Sequence, residues 1–151
     1  MDRINLRLLK ELSVDARMSY SELSKRVHLS APAVTERIKR MEEEGIITGY
    51  KPQINLAKLG IPIRALIECE VHRTKEKEFR AILLTYDEII KIYNITGATT
   101  FIVEVGTKTL EDLDDVLEKM IDYCDTCTKL VMRMPYDNVL PQHIENFISL
   151  E

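Results

Sequence analysis

The chain has no tryptophan, three cysteines, five glycines and five prolines in 151 residues, and no run of about 18 uncharged apolar residues. These shortages exclude collagen-like repeats, mucin-like stalks and a transmembrane helix. The opening MDRINLRLLKE lacks an uninterrupted apolar stretch, so no signal peptide is expected and the cytoplasm is the expected compartment. An odd set of cysteines, Cys69, Cys124 and Cys127, argues against a disulfide framework. Cys124-x-x-Cys127 has metal-ligand spacing, but no second pair completes a zinc site, and it precedes a strand instead of opening a helix as redox motifs do. Neither a metal nor a cofactor is expected. Gly-rich phosphate loops and Ser/His/Asp spacings are missing too, so no catalytic residue is assigned. What is present is ordinary globular material, 45% apolar and 30% charged.

The net charge of −4 is unevenly spread. Residues 1–60 hold 11 Lys and Arg against 8 Asp and Glu, while 61–151 hold 10 against 17. A basic first part is free to approach phosphates, and an acidic second part faces something else.

The first part reads as three helices and a ribbon. Asp2 caps a helix with Ile4, Leu8, Leu9 and Leu12 on one side, ending near Ser13-Val14-Asp15. Ser19-x-x-Glu22 is a capping box opening a second helix, with Leu23 and Val27 inward. After His28-Leu29, Ser30 caps a third helix with Pro32 in its first turn, Val34, Ile38 and Met41 inward, and Gly45 as the stop. The runs 46–50 and 51–54 are expected to fold back as a two-stranded wing. A turn this short between two helices predicts a helix-turn-helix. The face left outward carries Pro32, Ala33, Thr35, Glu36, Arg37, Lys39 and Arg40. Small residues at its N-terminal end suit a major groove, Arg37 can reach a guanine edge or a phosphate, and Lys39 and Arg40 suit the backbone. Arg17, Tyr20, Ser21, Lys25, Ser30 and Lys51 complete the candidate DNA contacts. The bland alternative is a solvated basic face balanced by Glu42, Glu43 and Glu44.

The ordered string Asp15-Ala16-Arg17, Leu23, Val27, Leu29-Ser30, Val34, Arg37, Glu42, Gly45-Ile46-Ile47, Gly49-Tyr50, Asn55 and Leu59-Gly60 resembles the Lrp/AsnC family of bacterial and archaeal transcription regulators. One departure is His28, at a turn position where many such units carry Gly or Asn.

Beyond Pro62 the period changes from helical to alternating. Ile63, Ala65, Ile67, Cys69 and Val71 mark a strand, and Phe79, Ile82, Leu83 and Tyr86 a helix. Residues 89–96 and 100–105 read as strands around Gly97-Ala98, Thr109-x-x-Asp112 opens a helix, and 126–134 closes the order β-α-β-β-α-β. That order is ferredoxin-like, and the whole is α+β: a winged helix-turn-helix followed by a ferredoxin-like, RAM-type domain. Two helices cover only one face of such a sheet, so Leu66, Ile92, Ile102 and Val131 are expected on an uncovered face that takes a partner subunit. Expected divisions are 1–52 for the DNA-binding domain, 53–62 for a linker, 63–135 for the second domain, and 136–151 for a tail with a short helix around Ile144, Phe147 and Ile148.

The family resemblance implies a homodimer through the second domain, assembly to octamers, and a small effector, commonly an amino acid. It assigns the effector response to the turn of Ile95, Gly97, Ala98, Thr99 and Thr100, where Thr100 replaces the expected acid and removes the group best suited to an ammonium ion. Two other readings are an assembly or small-molecule sensing protein with vestigial DNA binding, and an Lrp-like tetrapyrrole decarboxylase. The latter is expected to carry a His- and Trp-containing segment that this chain lacks.

Overall fold

The computed structural model describes residues 1–72, 74–135 and 137–148. Two units make up the chain: residues 1–53 together with the C-terminal tail, and residues 54–135.

The first unit contains α1 (Arg3–Val14), α2 (Tyr20–Val27) and α3 (Ala31–Glu43). Each begins on a polar cap that satisfies an otherwise orphan amide: Asp2 accepts from Asn5, Ser19 from Glu22 and Ser30 from Ala33. The expected box at Ser19 is half formed, because the Glu22 carboxylate turns to Arg26 at 3.2 Å. At the end of α3, Ile46 N–H bonds Met41 C=O and Gly45 N–H bonds Glu42 C=O, with Gly45 left-handed at φ +69°. This pair of bonds is the Schellman stop, open to glycine because it has no Cβ to clash. Leu8, Leu23, Val27, Val34, Ile38 and Met41 form the core, with Ile4, Leu9, Leu12 and Ile47 packed on it. Each fully buried aliphatic side chain contributes about 1.5–3 kcal/mol.

The wing expected over 46–54 is corrected: no strand forms there among the described residues. Gly49 adopts φ +147°, Pro52 has no N–H to give to a ladder, and an isolated two-stranded ribbon is marginal in water. Ile46, Tyr50 and Ile54 are left exposed. The tail is also shorter in helix than expected, a single 3-10 turn over Ile144–Asn146 with Phe147 exposed.

In the second unit, β1 (Ile63–Val71), α4 (Glu76–Leu83), β2 (Ile89–Asn94), β3 (Phe101–Thr107), α5 (Leu110–Glu118) and β4 (Cys124–Leu130) form one antiparallel sheet, ordered β2-β3-β1-β4, with two helices. The segment 53–62, expected to be a plain linker, holds a 3-10 turn over Leu56–Leu59, capped by Asn55 and stopped by left-handed Gly60. Thr109 and Asp112 form the full capping box of α5. The covered face pairs Ala65, Ile67 and Cys69 with Val105, Val103 and Phe101, against Phe79, Leu83, Leu113, Val116 and Met120.

Two expectations in this sheet shift. Ile92 pairs with Val103 and packs on the core, so it lies on the covered face; Tyr93, opposite Ile102, takes the uncovered one. Lys91 faces Glu104 beside a register shift at 89–91, and this irregularity breaks the simple alternation that puts Ile92 outward. β4 runs 124–130 instead of 126–134: its pairing with β1 ends at Ala65 and Leu130, Val131 N–H still reaches Arg64 C=O, and Pro62, just before β1, has no N–H with which to extend the ladder. No helix among the described residues is long and apolar enough to cross a membrane.

Candidate nucleic-acid interface

The turn between α2 and α3 is built on His28, the one non-glycine residue with positive φ among those described, at φ 59° and ψ 46°. Its N–H and that of Leu29 both reach Ser24 C=O, closing α2 so that Ser30 can open α3 at once. A left-handed residue with a side chain costs roughly 1–2 kcal/mol, less for His than for branched residues. The resulting turn is what aims α3 outward.

On α3, Pro32, Thr35, Glu36, Lys39 and Arg40 are exposed and Ala33 is half-buried. The Thr35 hydroxyl donates to Ala31 C=O at 2.9 Å, leaving its methyl free to meet a base edge. Lys39 lies 3.5 Å from Glu43, and Arg40 lies 2.7 Å from Glu44. Both are pairs one turn apart on an exposed face, where such contacts are worth about 0–1 kcal/mol and yield readily to a phosphate. The Ser30 hydroxyl is taken by Ala33 N–H. Arg17, Lys25 and Lys51 are exposed and show no ion pair among the described residues; Tyr20 and Ser21 are exposed on α2.

Arg37 is placed differently from its neighbours. Its guanidinium bonds the Asp2 carboxylate and, at 2.8 Å, the Asn5 side-chain oxygen, both at the N-terminal end of α1. In the free protein it ties α3 to α1. Burial pushes Asp2 up, but the Asn5 amide and the Arg37 guanidinium outweigh this and hold its carboxyl below the ordinary value. Sequence reasoning reads Asp2 as a cap only, and nothing in local spacing signals a partner 35 positions away. It reads Glu42 as one of three acids balancing the basic face, whereas Glu42 accepts from Tyr50 Oη at 2.8 Å; burial and this carboxylate raise the phenol to about 12.

In the second unit the turn at Gly97, φ +118°, is closed by Ile95 N–H to Thr100 C=O. Thr100 is bound into the sheet: its N–H meets Cys69 C=O at 2.8 Å, and its hydroxyl accepts from Val71 N–H at 3.3 Å. The uncovered sheet face mixes apolar Leu66, Ile102, Tyr93 and Val131 with ions. Arg64 pairs with Glu104, which also lies 3.9 Å from Lys91 and is only 4% exposed, and Lys129 sits 2.5 Å from Glu68. Cys124 and Cys127 fall on opposite faces of β4, one in the core and one exposed, so this spacing cannot close on one metal ion.

Residues 1–48 match the family model of winged helix-turn-helix DNA-binding domains, and residues 64–140 that of Lrp/AsnC ligand binding domains. The chain is 32% identical over 131 residues to the HTH-type transcriptional regulator LrpC of Bacillus subtilis, covering 87% of this chain and 91% of that one. With the solved structure of LrpC it superposes at a TM-score of 0.84 over 89% of this chain and 96% of the other. It is 33% identical to the HTH-type regulator Ptr1 of Methanocaldococcus jannaschii, over 80% of this chain and 82% of that one. A feast or famine regulatory protein from M. tuberculosis, solved in complex with L-methionine, superposes at 0.84 with 27% identity over 95% and 98% of the two chains. A helix-turn-helix on a capped three-helix core, followed by a ferredoxin-like sheet, and these likenesses over most of its length make the chain a member of the Lrp/AsnC family of DNA-binding transcriptional regulators.

Proposed function

We propose that the protein binds duplex DNA as a homodimer with α3 in the major groove. Thr35 and Glu36 meet base edges, while Lys39, Arg40, Arg17, Lys25 and Lys51 meet phosphates. The observation that carries this reading is the exposed face of α3, small and polar at its N-terminal end and cationic further on. Arg37 serves first as the tie between α3 and α1, and contacts DNA only by exchanging Asp2 for a phosphate. Dimerisation through the uncovered sheet face, with further assembly toward an octamer, brings two such helices to half-sites one DNA turn apart. Leu66, Ile102 and Tyr93 supply the apolar part of that interface, and the ion pairs of Arg64, Glu104, Lys129 and Glu68 restrict which partner fits.

An amino acid bound near the turn of Ile95, Gly97, Ala98, Thr99 and Thr100 modulates the assembly, as the L-methionine found in a relative suggests. The Thr100 hydroxyl carries no charge and already accepts from Val71 N–H, so the ammonium of such an effector takes its further partners from backbone carbonyls of the turn or from a second subunit. The protein acts as a regulator in the cytoplasm, not as an enzyme. Hydroxyl-radical footprinting on fragments selected from genomic DNA tests the reading: two protected tracts about one helical turn apart are expected. One isolated tract, or uniform protection, overturns the dimeric docking.

A further inference from the structure

We propose that the C-terminal tail is a strap docked on the outer side of α1 that, through α1, holds α3 in its DNA-binding position. This rests on the reading of α3 as the duplex-facing helix.

The chain leaves the first unit after Gln53, completes the second by Pro135, and returns to the first as its tail. The first unit is therefore tethered at two points. Helix α1 also has two apolar sides. Ile4, Leu8, Leu9 and Leu12 pack on the helix-turn-helix core, whereas Leu6 lies outside that core cluster and is still only 5% exposed. Leu6, with Leu9 and Leu12 at the border of the core, lines a cavity of about 600 Å³ that the tail's Leu140, Ile144 and Ile148 also line. Alongside it, Lys10 Nζ lies 2.7 Å from the Glu145 carboxylate. That hydrogen bond lowers the Glu145 carboxyl from its ordinary value.

The other end of the same helix carries Asp2 and Asn5, the two partners of Arg37 on α3. From Lys10 back to Asp2 is eight residues, about 12 Å of continuous helix at 1.5 Å per residue. A short helix of this kind moves as a rod. Displacing the tail therefore exposes Leu6 and Leu9 to water and loosens the support on which Arg37, and with it α3, is seated. No residue of the strap needs to touch DNA. Any rearrangement of the second unit that shifts its C-terminal end acts on α1 through this tether.

The test uses full-length protein with Ile144→Asp and Ile148→Asp together, and Phe147→Asp, an exposed tail residue, as the control. Hydrogen exchange over residues 4–12 reports docking, and fluorescence anisotropy with a labelled duplex reports DNA affinity. The double variant should exchange several-fold faster in α1, keep the protection of β1 and β3, and bind the duplex about tenfold more weakly. Phe147→Asp should change neither. Unaltered exchange in α1 overturns the proposal, and so does faster exchange with wild-type affinity. Should the double variant not fold, Lys10→Glu must speed exchange in α1 and Lys10→Glu with Glu145→Lys must restore it; absence of restoration overturns the latch. A wild-type protein that binds no duplex overturns the reading of α3 instead, and leaves docking to be decided by exchange alone.

Discussion

Asp2 performs two tasks that can be separated by one atom. Its Oδ1 caps α1 through Asn5 N–H at 2.7 Å, and its Oδ2 pairs with Arg37. Losing an N-cap costs about 1 kcal/mol. The ion pair, with side chains 32% and 36% exposed, is screened by solvent and adds about 0.5 kcal/mol. Asp2→Ala removes both and should destabilise the first unit by about 1.5 kcal/mol. Asp2→Asn keeps an equally good cap and should lose only about 0.5 kcal/mol. At roughly 4–8 °C per kcal/mol for a domain of this size, calorimetry should show drops of about 6–12 °C and 2–4 °C. DNA affinity should fall about twofold for Asp2→Asn, because the tie that seats α3 on α1 is weakened. The pH dependence carries the same signature. A carboxyl held below its ordinary value stabilises the fold above that value and stops doing so as pH falls through the depressed one, so the variants should lose part of the acid-induced destabilisation. Equal melting shifts for the two substitutions would refute the separation of cap from pair, and no shift in either would refute both contacts.

Lys39→Ala and Arg40→Ala should weaken cognate and random duplex alike, each lowering the slope of log affinity against log salt by about one for the phosphate it no longer neutralises; an unchanged slope would remove them from the backbone. His28→Gly relieves a left-handed side chain and should raise stability by up to about 1 kcal/mol in chemical denaturation, and a loss would show that the His ring makes stabilising contacts beyond the turn itself. Tyr50→Phe frees the Glu42 carboxylate and should loosen residues 46–54 in hydrogen exchange while α2 stays protected; an unchanged pattern would mean that this bond does not fix the segment. In protein diluted to the monomer one thiol per chain, Cys127, should react with a thiol reagent, because Cys69 and Cys124 are buried in the core; fast reaction of two or more would contradict the packing of α4 and α5 on the sheet.

The local signals in this chain are legible because they are short-range. Asp2, Ser19, Ser30 and Thr109 cap the helices that their spacing announces, and Gly45 stops α3, since a cap or a stop needs only neighbours within about four residues. The fold class follows from the change of period near Pro62. Sequence and structure part where distant partners decide. The extent of β4 depends on how far its pairing with β1, about 60 residues earlier, continues toward Pro62, and the side of Ile92 depends on a register shift in the β2–β3 pairing. The wing is absent on backbone grounds, Gly49 and Pro52, that its hydrophobic pattern does not carry. At the candidate site the outward face of α3 is visible in the spacing of Val34, Ile38 and Met41. The diversion of Arg37 to Asp2 and Asn5 is not, because an amphipathic pattern says which way a side chain points and not what waits there. Arg37 sits at the border of the buried stripe, where a long side chain can turn to either side.

The central claim, sequence-specific recognition of duplex DNA through α3, is tested most directly by fluorescence anisotropy with DNA from the region upstream of the protein's own gene and with a scrambled duplex, at about 0.15 M salt, for wild type and for Thr35→Ala with Glu36→Ala. Wild type should prefer the upstream fragment well beyond tenfold, and the double substitution should erase most of that preference while retaining binding to scrambled DNA. Equal affinity of wild type for both fragments, or a preference that survives the loss of Thr35 and Glu36, would contradict the claim.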